Sequence, residues 1–351
     1  MPAHHPTLLI FSAANDSHVQ AVLPHLTENT FALICDFSLF SKQCSASVLF
    51  SDPPRIVIHD QNGEKLYLDR VEAVWWWRPT PFPVHDPLSK EVSEFLVEEY
   101  SHFWAGLMAI LPREIRWYNR VQNNHLATRK VFQLHVAREC GMVIPETLVT
   151  SSPHEATQFI REHERVVFKA LFGTDQIWRP TQEMTEELVA KLDHVALCPV
   201  VFQEYIPGGE DYRVVLIDEF VQAVSFDTKN SRYPLDVSMD PATECRKAVI
   251  PDSLSSGLRE FMRRLGLRYG AFDLRRKPDG KFVFLEINPA GQFLYLDLRA
   301  KTSVTKALAD ALSCKNPSMS VPEKPSEPVS INYDLDQPFL LCTPKWEGSR
   351  K

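Results

Sequence analysis

An α/β (α+β) chain is the fold class this sequence predicts, and three observations predict it. Residues 7–35 open as strand, amphipathic helix, strand, the pattern of a β-α-β unit. From residue 165 onward, β-favouring runs bounded by turn residues are interspersed with helical stretches. Residues 269–298 read as two strands joined by the turn signal Lys277-Pro278-Asp279-Gly280.

Taken in order, residues 7–12 (TLLIFS) form a short apolar strand, residues 19–26 an amphipathic stretch, and residues 31–35 a second strand. No G-x-G-x-x-G follows the first strand, so no dinucleotide site is expected there. Residues 48–50, 55–59 and 65–68 are short strands, with turns at Asp52-Pro53-Pro54 and Asn62-Gly63. Residues 71–81 carry Trp75, Trp76 and Trp77 in succession, which puts rings on both faces of one strand and predicts cover on both sides. Those rings serve either packing or ligand stacking. Arg78 ends that strand. Residues 88–111 have helical spacing, and residues 123–140 read as one further helix, ending at Gly141. Residues 143–150 are strand-like, and Ser152 with Pro153 starts a helix. Residues 165–171 form a strand carrying Lys169, residues 185–192 a helix, and residues 199–206 a strand. Residues 211–217 and 219–226 continue a sheet, residues 253–265 are a helix stopped by Gly266, and residues 302–312 are a last helix. Residues 314–351, rich in Pro, Ser, Glu and Lys, have the composition of a tail or linker.

Bulk properties exclude several classes. The 351 residues carry 38 basic and 45 acidic side chains, a formal charge of −7, which is not the basic field that nucleic-acid binding needs. The seven cysteines are scattered, odd in number and never spaced C-x-x-C. That argues against a zinc ribbon or a disulfide framework and for a reducing cytoplasm. No apolar run approaches ~20 residues, so no membrane span is expected.

The 269–298 stretch carries the chemistry. Asp273 lies on its first strand, and Glu286 and Asn288 end its second. Antiparallel pairing brings these oxygens to one end of the ribbon, a hard donor set that suits Mg²⁺ held against phosphate oxygens. The bland alternative is a solvated hairpin with surface acids. Lys169 continues the apolar run VVFKALF, where a charge is costly unless paired. Lys130 alone reads as a solvated helix lysine, and Asp211 with Arg213 as a cross-strand pair.

Together, Lys130, Lys169, Gln203-Glu204-Tyr205-Ile206, Asp211, Arg213, Asp273, Glu286 and Asn288 resemble, in order and spacing, the ATP-grasp ligases. The 13-residue step from Asp273 to Glu286, with Asn288 two further on, is similar to the metal motif of that superfamily. More narrowly, the chain resembles the graspetide synthetases, the MvdD-like ATP-grasp peptide maturases of microviridin-type pathways. The stretches that carry this are Val74-Trp-Trp-Trp-Arg-Pro79, Asn119-Arg120, residues 144–150 (IPETLVT), Phe202 to Ile206, Asp211-x-Arg213, and residues 273–292.

The resemblance implies an ATP-grasp fold at 117–313, after a Rossmann-like pre-ATP-grasp domain at 1–116. It implies ATP and two Mg²⁺ as cofactors. Lys130 and Lys169 would reach the phosphates, and residues 203–206 (Gln203, Glu204, Tyr205 and Ile206) would read the adenine. Asp211 would accept the ribose hydroxyls, and Asp273, Glu286 and Asn288 would hold the metal. Arg213 and Arg275 would steady the acyl phosphate or the substrate carboxylate, and the 173–179 loop stands where the family has a lid. The partner implied is a precursor peptide with a leader segment, joined Asp/Glu to Thr/Ser or Lys. The resemblance leaves a homodimer open, since family members are often dimers, and the sequence does not decide the oligomeric state. Two alternatives remain: a RimK-like ligase adding a free amino acid, and a scaffold that binds peptide without catalysis.

Overall fold

The computed structural model describes residues 7–313 apart from 41–42, 61, 84–87, 173–179, 230, 234, 236–239 and 241. The tail at 314–351 and the expected lid at 173–179 therefore lie outside the described residues.

The chain opens with β1 (Leu8–Ser12), buried throughout, then α1 (Ser17–Val22) and β2 (Ala32–Cys35). Asp16 caps α1 by accepting from the N–H groups of His18 and Val19. β3 (Ser45–Leu49), β4 (Arg55–His59) and β5 (Lys65–Tyr67) form a separate antiparallel sheet. β6 (Ala73–Arg78) returns beside β1, followed by α2 (Lys90–Ala109) and β7 (Arg116–Tyr118). The resulting sheet runs β2-β1-β6-β7, all parallel. Its alternation sorts the tryptophans. Trp75 and Trp77 enter one core, and Trp76 enters another with Phe11, ring centroids 5.1 Å apart, and Trp104 of α2. All three rings pack in the interior.

The helix expected over 123–140 is two helices, α3 (Val121–Ala127) and α4 (Lys130–Glu139). Thr128 Oγ1 donates to the His125 carbonyl at 2.7 Å, and Arg129 turns extended at φ −79°, ψ 103°. A hydroxyl turned back on its own helix competes with continued winding. The break places Lys130 at the first turn of α4.

Next come β8 (Thr147–Thr150), α5 (Pro153–Glu162) capped by Ser152, β9 (Val166–Lys169), β10 (Gln182–Glu183), α6 (Glu186–Val189) and β11 (Val200–Glu204). Their antiparallel sheet runs β10-β9-β11-β8. The last sheet contains β12 (Glu210–Ile217), β13 (Phe220–Asp227), β14 (Cys245–Ala248), β15 (Tyr269–Arg276) and β16 (Phe282–Asn288), in the order β14-β13-β12-β15-β16. α7 (Asp252–Leu265) precedes β15, and α8 (Leu294–Ala300) and α9 (Val304–Ser313) follow β16.

The five-stranded sheet has two apolar faces. Tyr212, Val214 and Leu216 pack with Phe261 and Met262 of α7. Val215, Ile217, Tyr269 and Ala271 pack instead with Trp75, Trp77 and the α9 residues Leu308 and Leu312. The second core is thus shared between the parallel and the antiparallel sheet. Among the described residues, no helix is long and apolar enough to cross a membrane.

Candidate active site

Register builds the site. On one face of the five-stranded sheet, Arg213 stands opposite Asp273 and Asp211 opposite Arg275. Arg213 Nη1 donates to both oxygens of Asp273 at 2.8 and 2.7 Å. Arg275 donates from Nε and Nη2 to the two oxygens of Asp211 at 2.6 and 2.8 Å, and both residues of that pair are buried. Opposite charges facing each other across a ladder stabilise the pairing, and two-point Arg–carboxylate bonds fix its geometry.

Glu286 joins Asp273 through a bulge. Leu274 faces Phe284 while Asp273 faces Glu286, so Leu285 is an extra residue in β16. In an unbroken strand Phe284 and Glu286 would share a face. With Leu285 looped out, Phe284 enters the apolar core beside Phe272, and Glu286 turns to the side of Asp273. A bulge that re-aims one side chain is a recurrent device beside active sites. Asn288 follows opposite Ala271, its Oδ1 accepting from the Ala290 N–H at 3.0 Å.

The lysines meet the same carboxylate. Lys130 Nζ donates to Glu286 Oε2, and Lys169 Nζ, at the end of β9, lies 3.7 Å from that oxygen. Burial alone would raise the Glu286 pKa, but the Lys169 and Lys130 charges overcome it and hold it at about 2. Burial lowers Lys169 from the ordinary lysine range, with Glu286 opposing and Lys130 adding to the effect. Arg213 is held above the usual guanidinium value: burial would lower it, and the Asp273 carboxylate prevails.

Two residues that the sequence reading did not assign to the site hold this frame. Gln133, one turn after Lys130, donates to the Ile287 carbonyl at 2.9 Å and accepts from the Ile287 N–H at 3.2 Å, fixing the strand between Glu286 and Asn288. A buried glutamine between the apolar Phe132 and Leu134 was the available signal. Asn119 donates to the carbonyls of Tyr269 and Pro289 and accepts from the N–H groups of Arg268 and Tyr269, clamping both ends of the hairpin.

Residues 203–206 stand apart from this cluster, at the end of β11. Gln203 donates to Thr147 Oγ1 at 3.0 Å. The N–H groups of Glu204 and Tyr205 are used within the fold, by Glu146 and Arg165 carbonyls, and the Glu204 carboxylate accepts from the Glu146 N–H at 3.1 Å. Ile206 is buried. The Tyr205 ring carries the Arg165 guanidinium at 3.7 Å, and that of Arg275 at 5.9 Å, so the Asp211–Arg275 pair borders this segment. A cavity of about 680 Å³ opens at the turn end of the sheet, lined by residues that include Gly208, Glu210, Arg246 and Arg276; none of the charged cluster lines it.

Among the described residues, no three His, Cys, Asp or Glu side chains gather as a metal site. Asp273, Glu286 and Asn288 offer two carboxylates and an amide oxygen. That set fits a Mg²⁺ ion that brings phosphate oxygens with it better than a resident ion caged by protein. The cations around it suit polyphosphate.

No protein-family model and no curated protein matches the chain. Solved structures do. The macrocyclase MdnC bound with precursor peptide MdnA, from Microcystis aeruginosa, is 26% identical with TM-score 0.77 over 87% of this chain and 98% of that one. A RiPP-associated ATP-grasp ligase from Chryseobacterium gregarium, in complex with ADP and a leader and core peptide, is 23% identical with TM-score 0.78, covering 90% and 98%. The ATP-grasp ligase PsnB, complexed with minimal precursor, Mg and ADP, is 21% identical with TM-score 0.74, covering 90% and 99%. Fold, residue order and these likenesses agree: the chain has the ATP-grasp fold and resembles the graspetide-type ATP-grasp peptide maturases.

Proposed function

We propose that this chain is an ADP-forming ATP-grasp ligase that macrocyclises a ribosomally made precursor peptide, joining Asp or Glu side chains to Thr, Ser or Lys. The observation that carries the ligase reading is the convergence of Lys130 and Lys169 on Glu286, beside the Arg213–Asp273 pair. The peptide class is supported by likeness to MdnC over most of both chains. We take residues 1–116 as the pre-ATP-grasp domain, 117–313 as the ATP-grasp domain, and 314–351 as an appended tail. A reducing cytoplasm goes with the free thiols of Cys35, Cys140, Cys198 and Cys245.

The chain's own groups divide the work. Lys130 and Lys169, now on Glu286, would turn to the nucleotide phosphates, and Asp273, Glu286 and Asn288 would hold Mg²⁺. Mg²⁺ held there would supply charge neutralisation for phosphoryl transfer from ATP to a substrate carboxylate. Segment 203–206 would seat the adenine. Asp211 shares its carboxylate between Arg275 and a ribose hydroxyl. Arg213, held by Asp273, would stabilise charge on the acyl phosphate, whose carbonyl a hydroxyl or amine attacks to form the ester or amide as inorganic phosphate leaves.

The test is an intact mass of the peptide encoded beside the gene after incubation with the protein, ATP and Mg²⁺. Loss of one or more waters, absent with Asp273→Ala or Glu286→Ala, is the expected result. A gain equal to an amino-acid residue would replace this reading with the RimK-like one. Unchanged mass without ADP would leave a scaffold.

A further inference from the structure

Four cations of the site already have carboxylate partners: Lys130 and Lys169 on Glu286, Arg213 on Asp273, Arg275 on Asp211. Arg78 does not. It ends β6, the central strand bearing the tryptophans, and no carboxylate among the described residues lies within ion-pair distance of it. Its Nη2 donates to the Ala290 carbonyl at 3.3 Å, and its guanidinium stands 5.5 Å from the Trp77 ring centroid. Ala290 belongs to the turn after Asn288. Its neighbour Gly291 has no side chain, and a Cβ there would sit 2.5 Å from Arg213 Nη2. Arg78 and Arg213 therefore approach the same short turn from opposite sheets.

The end of β6 is also the kind of position that ligands favour in open α/β sheets. Carboxyl ends of parallel strands line the crevice of open α/β sheets. Ser12, the register partner of Arg78 at the end of β1, has a buried hydroxyl without a hydrogen-bond partner among the described residues. Partial burial lowers the Arg78 pKa; Asp16 and Tyr269 oppose this and the Arg213 charge adds to it, so the two guanidiniums share one electrostatic neighbourhood. A planar fork with most of its five donors uncommitted matches a carboxylate two-point.

We propose that Arg78 binds the substrate side-chain carboxylate that is to be activated, holding it against the turn at residues 288–291 for transfer beside Arg213. This rests on the ligase reading above and assigns the acceptor-binding role to a residue outside the ATP-binding half of the chain.

The test compares wild type with Arg78→Gln and Arg78→Lys. The probes are the peptide encoded beside the gene and its counterpart with every Asp and Glu of the reacting segment changed to the amide. Wild type should bind the acidic peptide more tightly than the amide one, and Arg78→Gln should lose about 10- to 100-fold of that preference. Arg78→Lys, which keeps the charge and loses the fork, should fall between. Affinity for a non-hydrolysable ATP analogue with Mg²⁺ should be unchanged in both variants, which also reports that they fold. If Arg78→Gln binds the analogue normally and keeps the full acid-over-amide preference, Arg78 has no such role. If wild type consumes ATP with neither peptide and does not distinguish them, the ligase reading itself fails and takes this one with it.

Discussion

At the scale of single residues, the Glu286 proton reports on the folded site. Its pKa is lowered from an ordinary 4.5 to about 2 by Lys169 and Lys130, against the effect of burial. A depressed acid stabilises the fold above its unfolded pKa, and that contribution fades as pH falls through the folded value. The stability difference between wild type and Glu286→Gln should therefore be constant above about pH 4.5 and shrink toward pH 2. Urea midpoints measured over a descending pH series check it; a difference independent of pH would mean the lysines do not hold this carboxylate. Several residue types of the candidate site were readable from the chain, because Lys169, Asp273 and Glu286 stand out in apolar strands, whereas Lys130 on its helix did not. Their partners were not. Arg213 finds Asp273, and Arg275 finds Asp211, across 60 and 64 residues of sequence, and only the β12–β15 register decides which acid each arginine meets.

At the scale of elements, most β-favouring runs were legible, down to the three-residue β5, but not all of them. β12, β13, β15 and β16 carry enough alternation to declare themselves. β7, with three residues, and β14, with the charged pair Arg246-Lys247 at its centre, do not. The α3–α4 break was hidden because apolar spacing continues through it, while the interruption is made by one threonine hydroxyl. The Leu285 bulge is invisible in sequence, since nothing in Phe284-Leu285-Glu286 marks which residue the ladder omits. The stop of α7 was legible: Gly266 takes the left-handed conformation at φ 61°, which closes a helix at little steric cost. A Cβ there would stand 2.5 Å from Asn123 Nδ2, the group that donates to the Gly266 carbonyl. Gly266→Ala should cost about 1 kcal/mol from backbone strain and about another from the displaced hydrogen bond. Denaturant unfolding measures that, with nucleotide affinity expected to be unchanged.

At the scale of the molecule, fold class and the order of elements were legible from the sequence, but the way the parallel and antiparallel sheets share an interior was not. Leu8, Ile10, Trp75 and Trp77 from the first sheet and Val215, Ile217 and Tyr269 from the last meet in one cluster, sealed by Leu308 and Leu312 of α9. Large aromatic residues dominate the energetics of such a core. Tryptophan fluorescence and far-ultraviolet dichroism should therefore follow one coincident unfolding transition, and two separated transitions would contradict a common interior. Anyone recombining such ligases to change their peptide meets this seam. A chimaera spliced at the end of the first sheet inherits two half-cores from different parents. Its success depends on whether the tryptophans of one parent fit the last helix of the other, more than on the loop where the genes are joined.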